Sequence, residues 1–135
     1  MKKYILLITL LYNISALASL GQVKPIQKIT SPYRVETSLD GNVTIKEYID
    51  QAGNVFAISW AGTHPPDLNK LLGSFKEEAQ KEMKNQNNII TRRSRYNRLE
   101  TTNLIMERFG SMRNIRGKVI LKKYLPPGVN QNEID

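Results

Sequence analysis

Between Tyr33 and Trp60 the chain carries three strand-length segments separated by two glycine turns, and no other feature constrains the fold as tightly. Tyr33, Val35 and Leu39 alternate with Arg34, Glu36 and Ser38, the period of two that sets one face of a strand on a core and the other in water. Asp40-Gly41 follows, and glycine there accepts the positive φ that tight hairpin turns require. Val43 to Ile49 forms a second strand, Gln51-Ala52-Gly53-Asn54 a second turn, and Val55 to Trp60 a third strand that is apolar on both faces. A strand of that kind belongs in the middle of a sheet.

Gly62-Thr63-His64-Pro65-Pro66 ends the third strand, and the spacing beyond it predicts a helix. Asp67 suits the N-cap, where a carboxylate accepts from free amides and opposes the dipole. Leu68, Leu71, Leu72, Phe75, Ala79 and Met83 form one apolar stripe, with Lys76, Glu77, Glu78, Lys81 and Glu82 on the wet side. Gly73 interrupts it at a cost of about 1 kcal/mol relative to Ala, which points to close packing on the sheet. Asn85 to Asn88 is a polar linker. Ile89–Thr91 reads as a short strand and the following residues as a basic loop. Asn103–Phe109 and Met112–Leu125 are two further strands, turned by Gly110-Ser111, and Pro126-Pro127-Gly128 closes the sheet. The order β-β-β-α-β-β predicts an α+β fold: an antiparallel sheet of about five strands with one amphipathic helix packed on one face. Residues 19–32 are expected to be an extended arm or edge strand, 33–129 a single domain, and 130–135 a frayed tail.

The first 18 residues have the layout of a secretory signal peptide. Met1-Lys2-Lys3 is basic, Tyr4 to Ile14 is uncharged, and Ala16 and Ala18 make a small-x-small site. Cleavage is expected after Ala18. The apolar run is shorter than the roughly 20 residues of a membrane span, no cysteine follows it to carry a lipid, and no later stretch is long enough to serve as a transmembrane anchor. The expected product has 117 of the 135 residues and, having lost two lysines, a charge of +6 rather than +8. Its localisation would be periplasmic or extracellular.

Composition excludes much chemistry. The chain has no cysteine and one histidine, so disulfides, thiolate zinc sites, iron–sulfur ligation, thiol catalysis and multi-histidine metal sites are ruled out. No cofactor motif or Gly-rich phosphate loop occurs. His64 and Asp67 could form an acid/base pair, but a helix cap accounts for Asp67 and an exposed turn for His64. Trp60 could floor a ligand groove. The plainer reading is a core tryptophan under the helix.

The charge distribution is the most informative signal. Ser19–Ile90 holds eight basic and eight acidic residues, whereas Thr91–Tyr124 holds ten basic and two acidic. Arg92, Arg93, Arg95 and Arg98 surround Tyr96, and Arg116, Lys118 and Lys122 fall on one side of the last strand. Together they are candidates for binding an anion or a partner. The alternative is a solvated face that keeps the chain soluble. Nucleic acid is the usual partner of such charge, but an exported protein seldom meets it. Envelope proteins, lipid phosphates and acidic glycans fit the expected compartment better.

The run from Gly53 through Trp60 and Gly62, continuing over Pro66, Asp67, Leu68, Leu72 and Gly73, resembles the core signature of a family of exported bacterial proteins, domain of unknown function 2844. Met112-Arg113, Gly117 and Tyr124-Leu125-Pro126-Pro127-Gly128-Val129 are similar to its closing segment, and Ala18-Ser19-Leu20-Gly21 to its mature start. Thr63 stands where the family usually has proline, and Ser111 where a histidine often precedes the Met-Arg pair. The resemblance covers nearly all of Ser19–Val129 and implies export and a single domain, with no activity attached. The combined expectation is a non-enzymatic envelope binding or accessory domain. A small hydrolase using His64 and Asp67, or an assembly factor for a surface or secretion structure, are the alternatives.

Overall fold

The alternation seen in the sequence becomes one antiparallel sheet in the computed structural model, which describes residues 19–87 and 95–135. The strands are β1 (Tyr33–Asp40), β2 (Val43–Asp50), β3 (Val55–Gly62), β4 (Tyr96–Glu100), β5 (Leu104–Ser111) and β6 (Asn114–Leu121). Their order across the sheet is β1-β2-β3-β6-β5-β4. Two three-stranded meanders therefore meet at β3 and β6, which pair antiparallel from Ala57↔Ile120 to Gly62↔Ile115. Val55 to Trp60 is buried throughout, as a central strand must be.

Among the described residues the sheet has six strands rather than about five. The extra one, β4, lies in the segment read as a basic loop. It is a five-residue edge strand with one buried side chain, Leu99, so it offers almost no alternation to detect. The strand expected at Ile89–Thr91 lies outside the described residues, as does the signal segment 1–18.

Helices α1 (Leu68–Leu72) and α2 (Lys76–Asn87) cover one face, with a 3-10 turn at Gly73–Phe75 between them. Among the described residues no helix is long and apolar enough to cross a membrane. Asp67 caps α1, accepting from the amides of Asn69 at 3.1 Å and Lys70 at 3.2 Å. The whole apolar stripe, Leu68 through Met83, enters or borders the core with Ile45, Ile58, Trp60, Val119 and Leu121. Gly73 bends the helix at φ +54°, and a Cβ there would stand 3.0 Å from that of Ser19. Its role is to admit the arm, not to approach the sheet.

That arm is not an edge strand. It crosses the beginning of β3, where Gly21 donates to Val55, Val55 to Gln22, and Lys24 to Gly53, and it seats Leu20 in the core. Lys24 then donates to Glu36, at 2.5 Å, and to the buried Glu47. Burial disfavours the Lys24 ammonium, but its hydrogen bonds to both carboxylates and their charge outweigh that and hold its pKa above the ordinary value. Lys24, the largest influence, holds Glu36 below the carboxylate range.

The C-terminal segment is not frayed. Gln131–Glu133 forms a 3-10 turn, and Ile134, 0% exposed, completes a second core with Tyr48, Phe56, Ala57, Ile120 and Val129 on the face opposite the helices. The main-chain oxygen of Asp135 accepts from Tyr48 Oη at 2.7 Å, Ser59 Oγ at 2.8 Å and Lys46 Nζ at 3.3 Å.

The β5–β6 hairpin also turns later than Gly110-Ser111 suggested. Ser111 pairs with Asn114, so Met112 and Arg113 are the two loop residues, and β6 begins at Asn114 and ends at Leu121.

Candidate anion-binding surface

Register sorts the basic residues into rows. In an antiparallel sheet, residues paired across neighbouring strands share a face. Tyr96 pairs with Phe109 and Phe109 with Arg116. The next row on that face is Arg98, Glu107 and Lys118. This is the face closed at one end by the C-terminal segment.

The second row is internally paired. Glu107 receives Arg98 at 2.5 Å and Lys118 at 3.5 Å, and Lys118 also donates to the carbonyls of Gln131 and Ile134 at 3.0 and 2.8 Å. Farther along, Lys122 pairs with Glu100 at 2.8 Å and donates to the Thr101 carbonyl, and Arg98 reaches Glu100 at 3.2 Å. Lys122 foremost, with Arg98, holds the Glu100 carboxyl below its usual range. Hydrogen bonding to Glu100 foremost raises the pKa of Arg98. Three of the candidates, Arg98, Lys118 and Lys122, are thus held in internal ion pairs, and Lys122 follows the strand rather than lying on it. Arg92 and Arg93 fall outside the described residues.

The cations nearer the β5–β6 turn are different. Among the described residues no carboxylate lies within ion-pair distance of Arg95, Arg108, Arg113 or Arg116. Arg116 Nε makes one weak contact with Asn114 Oδ1 at 3.4 Å. Arg95 is tied to the same hairpin, since its carbonyl accepts from Gly110 at 2.9 Å. All four therefore lie toward the end where β5 turns into β6, but on two faces: Arg108, paired with Asn97 and Gly117, is on the face opposite Phe109 and Arg116. With them stand Tyr96, whose hydroxyl donates to Glu107 at 3.1 Å, and the half-exposed Phe109. Between this end and the C-terminal segment runs a groove of about 470 Å³, lined by Tyr96, Phe109, Arg116 and Lys46 at its basic part and by Glu107 and Asp135 as well. Its cations, rings and hydroxyl can hold an anionic group beside an apolar surface.

Arg108, Phe109 and Met112 were not singled out from sequence as binding residues. Moving the turn two residues later is what places Met112 at the tip, and the register that does so is not written in local composition.

The remaining motif positions are architectural. Trp60 is 3% exposed and lies across its pairing partner Gly117, where a Cβ would stand 2.5 Å from Trp60 Cε2 and 2.9 Å from the Glu107 carbonyl oxygen. Gly62 ends β3 against the backbone of Asn42 and Val43, so close approach, not a turn, requires it. Pro66 is buried before the Asp67 cap, and Leu72 is in the core. Pro127 and Gly128 lead into the C-terminal segment. His64 is exposed and touches Thr63 Oγ1, while the Asp67 carboxylate is occupied by the helix. Among the described residues no group of three His, Cys, Asp or Glu side chains could hold a metal.

The architecture defines a class: an α+β domain of six antiparallel strands, helices on one face, its own C-terminal segment on the other, and an arginine-rich hairpin at one end. The chain belongs to the family described as Protein of unknown function (DUF2844), whose match spans residues 13–134. No curated protein and no solved structure matches it.

Proposed function

We propose that this is a non-enzymatic, exported binding or accessory domain of the periplasm or cell envelope whose basic end takes an anionic ligand or partner. The observation that carries the reading is the division of the cations. Those toward the β4–β5 turn are paired with Glu100 and Glu107, whereas among the described residues Arg95, Arg108, Arg113 and Arg116 have no carboxylate within ion-pair distance and lie toward the end that carries two exposed rings. Four like charges left together repel one another and lower stability slightly, and an anion bound there would remove that repulsion. Export is supported by the signal-like start and by the arm, because Leu20 seats in the core directly behind the expected cut. The test is binding of the purified protein to a soluble polyanion such as dextran sulfate. Affinity should fall steeply between low salt and roughly 0.5 M salt, where exposed charges are screened within a few ångströms. Replacing the four arginines with glutamine should abolish it. Binding indifferent to both changes would refute the reading.

A further inference from the structure

The tip of the β5–β6 hairpin combines three features that the anion-binding reading alone does not explain. Met112 is 98% exposed at the apex of a two-residue turn. Its loop partner Arg113 has φ +63°, and it is the one non-glycine residue with a positive φ among those described. Such backbone costs an ordinary L-residue free energy that glycine would not pay, and strain of that kind collects at functional sites. Arg95 and Arg108 share a depression with Met112 on one flank of this apex, and Arg116 lies on the other face of the hairpin; among the described residues none of these is ion-paired. Behind it, on the flank shared with Arg116, stands Phe109, 50% exposed.

We infer that the hairpin tip docks on an anionic phospholipid surface, with Met112 entering the acyl boundary and the arginines lying at the phosphates. This deepens the proposal above and rests on it. Charge complementarity selects an anionic surface: juxtamembrane cations attract acidic lipids, and apolar side chains beside them sink below the headgroups. The projecting thioether separates a bilayer from a glycan. A sugar ring stacks on a flat aromatic face and gains little from a flexible side chain held out in water, whereas Met112 loses its exposure only by inserting. Arginine suits the rim, because its fork binds phosphate oxygens in pairs while its stem lies on apolar surface. The left-handed backbone of Arg113 places a cation next to Met112, at a position where an unstrained turn would have glycine and no charge.

The experiment is co-sedimentation of the purified protein with vesicles of phosphatidylcholine alone and of equimolar phosphatidylcholine and phosphatidylglycerol, alongside dextran sulfate binding. The protein should sediment with the anionic vesicles only. Met112→Ser should weaken vesicle binding about tenfold, the loss expected for withdrawing much of one apolar side chain from lipid, and leave dextran sulfate binding unchanged. Arg113→Gln and Arg116→Gln should each weaken both by about fivefold. Tryptophan emission confirms that each variant is folded. If dextran sulfate binds but anionic vesicles do not, or if Met112→Ser changes neither, the lipid inference fails while the anion-binding reading stands. If neither polyanion nor vesicle binds, both fail.

Discussion

Replacing Gly117 with alanine inserts one methyl group between two central strands. The new Cβ would meet the indole of Trp60 on one side, at 2.5 Å from Cε2, and the Glu107 carbonyl oxygen at 2.9 Å on the other. Neither neighbour can swing away: Trp60 is buried, and the carbonyl belongs to β5. Overpacking of this kind costs about 1–3 kcal/mol, and with a backbone atom on one side the loss should lie at the upper end of that range. In a domain of this size that lowers Tm by roughly 10 °C. Trp60 is the sole tryptophan, so its fluorescence reports on this contact directly. Urea titration should show an earlier midpoint, and the folded-state emission should shift to the red as the ring is pushed toward water. A Gly117→Ala variant with wild-type midpoint and emission would refute the packing described here.

Three further outcomes follow from the same contacts. Ile134→Ala should destabilise the protein by about 2–4 kcal/mol and raise binding of a hydrophobic dye, because the C-terminal segment is what covers Phe56 and Tyr48. Lys24→Met should cost about 3 kcal/mol in urea unfolding at pH 7, since it strands the buried Glu47 carboxylate. Stability should also fall at both pH extremes. Glu36 and Glu78 have folded-state pKa values below the ordinary 4.5, Glu36 chiefly through Lys24 and Glu78 through hydrogen bonds from Asn103 and then Thr101. Their contribution is complete above pH 4.5 and is lost as the pH drops through their lowered values. Lys24 has a raised pKa, so its contribution is complete below 10.5 and disappears above that. A flat stability profile from pH 3 to 7 would contradict these assignments.

Much of the architecture was legible because burial leaves periodic marks. β2 and the helical stripe each place several apolar residues on one face, β3 is apolar on both, and each forms where the pattern puts it. The parts that were not legible depend on contacts distant in sequence. The strand β4 rests on Leu99 and its pairing with β5. The C-terminal segment rests on Ile134 and Val129, two isolated apolar residues among polar ones, which meet a core supplied by β2, β3 and β6. Gly110-Ser111 has turn composition, yet continued pairing to Ser111↔Asn114 moves the turn to Met112-Arg113. The basic surplus of the C-terminal half was plain in composition. Which cations it leaves uncompensated was not, because Glu107 lies between Arg98 and Lys118 only in the folded register.

The absence of cysteine from the chain makes the central claim open to a clean measurement. A single cysteine introduced by Met112→Cys and labelled with an environment-sensitive fluorophore reads the depth of the hairpin tip. Thr102→Cys, exposed between β4 and β5 at the opposite end of β5, supplies the control. On adding anionic vesicles the label at position 112 should shift to the blue and be quenched by a quencher carried on the lipid acyl chain, while the label at 102 stays unchanged. A label at 112 that remains open to an aqueous quencher, with emission the same in neutral and anionic vesicles, would contradict membrane docking through this hairpin.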